Sequence, residues 1–150
     1  MRAVLQRVNS ASVLINGRDN RKINQGLVVL LGITHDDTSE DVEWITGKII
    51  RMRIFGDDEG KMNRSLEDIQ GEILLISQFT LHASVKKGNR PSFIEAASPD
   101  KAIPLYEQCI TSFQVQLNGR IQTGEFAADM KINLVNDGPV TIIIDSKNPA

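Results

Sequence analysis

Apolar and polar positions along this chain alternate between two periods, and the changes of period mark its elements. Val4 to Val8 and Ser12 to Ile15 predict two short strands joined by a polar turn, and Asn16-Gly17 signals another turn after them. Gly26 opens Leu27 to Leu31, a continuous apolar run of the kind buried on both faces of a sheet. Thr38 or Ser39 can cap a helix whose acidic start (Glu40, Asp41, Glu43) suits the helix dipole, with Val42, Ile45, Ile49 and Met52 on one side. Ile54-Phe55 predicts a short strand ended by Gly56-Asp57-Asp58. Gly71 to Leu81 predicts a longer one, apolar from Ile73 to Ile76. Ser98-Pro99 starts a second helix, with serine as cap and proline at its first position. Its stripe runs through Ile103, Tyr106, Ile110, Phe113 and Leu117, and Asn118-Gly119 ends it. Two closing strands follow, Lys131 to Val135 and Val140 to Ile144. Asn16 to Asn24 reads as a polar hairpin and the tail after Asp145 as dispensable. Strands outnumber the two helices, which predicts an α+β fold with a mainly antiparallel, strongly curved sheet or barrel, one domain over residues 1–150.

Two segments depart from this plain pattern. The first, Ser77-Gln78-Phe79-Thr80-Leu81, ends an apolar strand in hydroxyl and amide groups. A regular strand would send Ser77 and Thr80 to opposite faces, so a substrate touched by both requires the strand to bulge or end between them. Such an end frees backbone N–H groups that can stabilise an oxyanion. In the alternative reading, Phe79 and Leu81 are core while Gln78 and Thr80 satisfy polar groups at a sheet edge. A third reading pairs Thr80 with His82, two positions on, as nucleophile and base of an esterase.

The second segment is Asn136-Asp137-Gly138-Pro139-Val140-Thr141. It places a proline, which removes an N–H, between two β-branched runs that ought to pair. Gly138 beside it removes the steric limit on what can approach. On general frequencies the Gly-Pro bond is a trans turn between strands. The pair also presents a backbone surface with outward carbonyls and little bulk, able to inspect a substrate's α-carbon.

Composition narrows the chemistry. Hydrophobic content of 41% and charged content of 24% are ordinary for a globular chain of 150 residues. No run approaches the length of a membrane span, and Met1-Arg2 leads into a strand pattern rather than a signal peptide. A single cysteine, Cys109, excludes an internal disulfide and fits a reducing, cytoplasmic setting. It reads as a small buried hydrophobe, and Trp44 as core. Two distant histidines and one thiol make a zinc site improbable, and neither metal nor cofactor is expected. Net charge is −2 and the pI about 5.7, the wrong sign for bulk electrostatic binding of nucleic acid. Lys86, Lys87 and Arg90 form a local basic patch that is either a contact for RNA or a solvated loop.

Taken together, the two segments resemble the paired signatures of D-aminoacyl-tRNA deacylases. The likeness extends over the whole chain through Gly60-Lys61-Met62-Asn63, Arg90-Pro91-Ser92-Phe93 and Thr123-Gly124 to Met130. The resemblance implies hydrolysis of the ester between a D-amino acid and tRNA, and of misattached glycine. It implies a homodimer in which Gly138-Pro139 is cis and reaches into the partner's active site, where its carbonyls exclude an L side chain. It implies catalysis assisted by the terminal adenosine's 2′-OH, with Ser77, Gln78 and Thr80 as catalytic-site residues that mostly position the ester. Phe79 and Met130 would then contact substrate, with backbone amides near Phe79 and Thr80 as oxyanion donors. An older view of such enzymes makes Thr80 the nucleophile. Arg7 would pair across the dimer; otherwise it is an ordinary surface arginine. Two other classes stand beside this one: an editing domain of the threonyl-tRNA synthetase type, and a non-catalytic RNA-binding protein.

Overall fold

The computed structural model describes residues 1–149. Its elements are β1 (Arg2–Ile15), β2 (Asp19–Ile23), β3 (Gly26–Gly32), α1 (Ser39–Arg51), β4 (Phe55–Gly56), β5 (Met62–Arg64), β6 (Glu72–Ser77), a 3-10 turn over Phe79–His82, α2 (Pro99–Gln116), β7 (Ile121–Thr123) and β8 (Met130–Asp145). The main sheet runs β2-β1-β3-β6-β7, with β8 also paired to β1, while β4 and β5 form a separate hairpin.

β1 is one strand, not two joined by a turn. Its register against β8 slips between Gln6 and Val8 and again between Val8 and Ala11. Those slips switch the buried face. Ala3 and Leu5 point into the cluster beneath the helices, whereas Val8, Ala11, Val13 and Ile15 enter a second apolar cluster with Ile23, Val28, Leu74 and Ile76. Asn9 and Ser10 remain in the strand and face solvent. The expected polar hairpin is β1 turning at Asn16-Gly17 into β2.

The run Leu27–Leu31 is buried on both sides because β3 lies mid-sheet between the two clusters. β3–β6 and β6–β7 are parallel pairs, since each connection crosses over through a helix, α1 for the first and α2 for the second. The sheet is therefore mixed, with antiparallel pairing confined to β1 and its neighbours. Arg21 of β2 donates to the Thr123 carbonyl of β7 at 2.7 Å and draws the two edges of the sheet nearly into a barrel.

The helices begin at the expected positions, with Thr38 rather than Ser39 as the cap of α1 and Ser98 at the N-cap of α2 without a side-chain capping bond. Thr38 and Asp41 form a reciprocal capping box at α1, and Pro99 occupies the first turn of α2. The buried side of α2 is Ala102, Leu105, Tyr106, Cys109 and Phe113, so the expected stripe is rotated and Ile103 stands on the exposed flank. Trp44 is half-buried at the margin of the core under the Lys48 ammonium, 5.6 Å from its ring. No helix among the described residues is long and apolar enough to cross a membrane.

The tail is not dispensable in packing terms. The Met1 amino group is buried against the Asp37 carboxylate and also donates to Ser146 Oγ, while Lys147 reaches Asp41 at 3.0 Å. These bonds fasten both chain ends to the start of α1.

Candidate active site

β6 stops at Ser77, and the segment Phe79–His82 turns back as a 3-10 helix instead of continuing the expected strand to Leu81. Three features fix this break. The Gln78 amide donates to the Leu31 carbonyl at 2.7 Å, the last bond of the parallel ladder. Arg2 Nη1 donates to the Leu81 carbonyl at 2.7 Å, tying the turn to β1. Gly32 lies so close beneath that a Cβ there would meet the Gln78 carbonyl and Leu81 Cβ at 3.0 Å and His82 Cδ2 at 3.1 Å. The turn leaves the Phe79 and Thr80 amides, its first donors, without a backbone acceptor among the described residues.

Beside the turn is a cavity of about 700 Å³, walled by Leu31, Ile33 and Ile76 from the sheet, Ala97 and Ala102 from the α2 side, and Phe126, Met130 and Ile132 from the last segment. Ser77, Gln78 and Phe79 line it, and Phe93 meets Phe79 edge-to-face at its mouth, ring centroids 5.2 Å apart. Gly124 lets β7 and β8 converge there, since a Cβ would sit 2.5 Å from Met130 Sδ. Tyr106 supports the floor from α2 by donating to the Leu75 carbonyl at 3.1 Å.

Ser77, Gln78, Phe79 and Met130 are thus brought together. Thr80 is exposed just outside the lining, its hydroxyl accepting from Gln78 Nε2. Phe79 is not core: it is 54% exposed. Thr80 and His82 do not form a pair, because the turn replaces the strand that would have aligned them. His82 is buried with its ring against the Gly32 carbonyl, and that burial lowers its pKa below the ordinary 6.5. Asp129, at the rim and paired with Lys131, is the one ionisable side chain among the lining residues. The cavity offers hydrogen-bond donors and apolar walls rather than an acid–base pair.

Gly138 and Pro139 lie elsewhere. Asn136 pairs with Val8 and Thr141 with Gln6, so residues 137–140 bulge out of β8 opposite the single residue Arg7. A clasp closes the base of this bulge. Gln6 Oε1 accepts from Asn136 Nδ2 at 2.8 Å and from Thr141 Oγ1 at 2.6 Å, and the Asn136 carbonyl oxygen of the side chain accepts from the Val140 amide at 3.2 Å. Arg7 donates to the Asp137 carbonyl at 3.1 Å and the Ile54 carbonyl at 2.7 Å, and pairs with the Asp137 carboxylate. It is therefore a largely buried brace of its own chain rather than a surface arginine. Gly138 sits at φ 123° with Arg7 Nη2 2.9 Å from where a Cβ would be, and the Gly138-Pro139 bond is cis. Both residues are exposed and border a second depression, of about 410 Å³, with Phe55, Gly60 and Met62. Within one chain, the two segments do not share a cavity.

Gln6 and Gly32 were not singled out by the sequence, whereas Gly124 stood in the Thr123–Met130 segment of the resemblance. Glycine directly after a buried strand was the only local sign at Gly32, and Gln6 carried none.

Residues 4–145 match the family described as D-Tyr-tRNA(Tyr) deacylase. The chain belongs to this family. A D-aminoacyl-tRNA deacylase of Cytophaga hutchinsonii is 63% identical over 148 residues, 99% of each chain. Among solved structures, the c-Myc DNA unwinding element binding protein is 40% identical with a TM-score of 0.92 over the full length of both chains. A probable eukaryotic D-amino acid tRNA deacylase, 20% identical with a TM-score of 0.84 over 95% of this chain and 97% of its own, shares the fold. The matched range includes both the cavity-lining Ser77–Phe79 and the bulge at Gly138-Pro139.

Proposed function

We propose that this chain is an editing hydrolase that cleaves the ester of D-aminoacyl-tRNA, releasing free D-amino acid and intact tRNA, and that it also hydrolyses glycine misattached to tRNA. Family membership supports the ester and the RNA, and the unengaged amides of Phe79 and Thr80 beside the cavity carry the chemistry. In the reaction, water adds to the ester carbonyl carbon, and negative charge gathers on the carbonyl oxygen, where those amides donate. The bond to the ribose oxygen then breaks, and that oxygen takes the proton. With no acid–base pair lining the cavity, the proton-handling group is assigned to the vicinal 2′-OH of the terminal adenosine. Ser77, Gln78 and Thr80 position the ester and the ribose, and Phe79 and Met130 bound the space around the α-carbon.

Chirality is assigned to a homodimer in which each Gly138-Pro139 bulge covers the partner's cavity. The observation favouring this is the exposure of the bulge, braced by Arg7 and Gln6 yet outside the lining of its own chain's cavity. Its carbonyls would meet an L side chain and leave room for a D side chain or glycine, so that discrimination comes from a clash with the wrong enantiomer.

Hydrolysis of D-Tyr-tRNA and L-Tyr-tRNA at equal enzyme concentration tests both parts. Loss of the D-ester alone is the expected result. Loss of both would overturn the chirality filter, and loss of neither would overturn the hydrolase. Sedimentation at micromolar concentration should give a dimer; a monomer would refute the cross-subunit arrangement.

A further inference from the structure

The segment joining the 3-10 turn to α2 carries charge that the cavity does not use. Between Glu72 and Glu95 the chain contains no Asp or Glu, although the whole protein is net negative. Within that stretch stand Lys86, Lys87 and Arg90, all exposed, with neither an ion pair nor a side-chain hydrogen bond among the described residues. By contrast, Arg2, Arg7, Arg21, Arg64, Lys131 and Lys147 each face a carboxylate. Arg18, Lys22, Arg51, Arg53 and Lys101, which also lack an ion pair among the described residues, are not grouped in a stretch free of acids at the cavity mouth.

The loop is also held at a defined place. Ser84 and Ser92 exchange two backbone hydrogen bonds, 2.8 and 2.9 Å, which close residues 85–91 into a loop with Gly88 at φ 81° near its tip. The strand leaving it is fastened to the end of β3: His35 Nε2 is 2.7 Å from the Ile94 carbonyl, and the Ala97 amide donates to the Ile33 carbonyl at 2.9 Å. Phe93, the residue after Ser92, lies at the cavity mouth against Phe79. From Phe93 to the tip at Gly88 the chain can span no more than about 18 Å, so all three cations stand within a few nucleotides' reach of the cavity.

We propose that this loop seats the phosphates of the single-stranded RNA segment leading to the esterified nucleotide, with Lys86, Lys87 and Arg90 supplying the charge, a role that rests on the deacylase reading above. The acid-free stretch removes local repulsion of a polyanion, and the two fixed ends place the cations beside the path the RNA takes into the cavity. An overall acidic protein can thereby engage tRNA through a local patch.

Three phosphate contacts to a single strand give a slope of about −2 in log affinity against log salt. That corresponds to about a 20-fold loss between 50 and 200 mM salt. The test is the triple variant Lys86→Gln, Lys87→Gln, Arg90→Gln, assayed on D-Tyr-tRNA and on D-Tyr-adenosine, which carries no phosphate. Binding of uncharged tRNA is followed by fluorescence anisotropy over the same salt range. The expected result is a rise in KM for D-Tyr-tRNA of tenfold or more at low salt with kcat unchanged, a salt slope shallower by about 2, and unaltered turnover of D-Tyr-adenosine. An unchanged tRNA slope, or equal losses on both esters, would overturn the proposal. If the unsubstituted protein hydrolyses neither ester, the deacylase reading fails, and the anisotropy slopes still decide whether this loop holds RNA.

Discussion

Replacing Gly32 by alanine probes the link between the end of β3 and the amides beside the cavity. Gly32 is in ordinary strand conformation, so the backbone accepts alanine, and the perturbation is purely one of contact. The added Cβ meets the Gln78 carbonyl at 3.0 Å, Leu81 Cβ at 3.0 Å and His82 Cδ2 at 3.1 Å. All three atoms belong to the 3-10 turn or its cap, so relief of a few tenths of an ångström moves that turn as a unit. Overpacking of this kind costs about 1–3 kcal/mol, or roughly 1 M in the urea midpoint. Removing an oxyanion donor outright costs about 10²–10³ in kcat. Displacing two donors without deleting them is expected to cost about 10- to 100-fold. Single-turnover hydrolysis of D-Tyr-tRNA, with urea unfolding on the same preparation, reads both quantities. Ile50→Val, on the buried side of α1 and outside the cavity lining, gives a control loss of about 0.5–1.5 kcal/mol with no change in rate. If Gly32→Ala loses stability and keeps its single-turnover rate, the Phe79 and Thr80 amides are not the oxyanion donors.

Other expectations are independent of that one. Thr80→Ala should keep kcat within about tenfold, because its hydroxyl serves as an acceptor for Gln78 outside the cavity lining; a loss beyond about 10³-fold would restore Thr80 as nucleophile. Arg7→Ala removes the brace on Asp137 and should cost about 1.5–3 kcal/mol while lowering the D-to-L ratio of kcat/KM, and an unchanged ratio would detach the brace from chirality. Asp37→Ala strands the buried Met1 amino group and should destabilise by about 3–5 kcal/mol in equilibrium unfolding; a loss under 1 kcal/mol would mean that water reaches the amine. Burial works to raise the Asp41 pKa, but hydrogen bonds from Ser146 and the Thr38 amide, and the Lys147 ammonium, outweigh it and hold the carboxyl at about 2. Because the folded value lies below the ordinary 3.8, this carboxylate's contribution is complete well above pH 3.8 and disappears as pH falls through about 2. Asp41→Asn should therefore flatten stability against pH in that window, by about 1–2 kcal/mol once solvent screening at Lys147 is allowed for; an unaltered acid limb would count against the network.

What the sequence by itself determined are the features set by neighbours along the chain. The start of α1 at Thr38 or Ser39, Pro99 in the first turn of α2, the turn at Asn16-Gly17 and the doubly buried run of β3 follow from local propensity and hydrophobic period, and the structure has each of them, with Thr38 as the cap. The two signature segments were equally plain, since a proline between β-branched runs and a polar end to an apolar strand violate a local rule. Tertiary structure alone decided where these segments stand and what holds them. Whether β6 continued past Ser77 depended on Leu31, Arg2 and Gly32, each dozens of residues away. The apparent gap in β1 became a face switch only because β8 pairs with it out of register. Gln6 and Arg7 acquired their roles only when β1 came to lie beside the 137–140 bulge, a contact between opposite ends of the chain. Short-range conformational preference can be read along a sequence, whereas the partner that completes a long-range hydrogen bond is chosen by the fold.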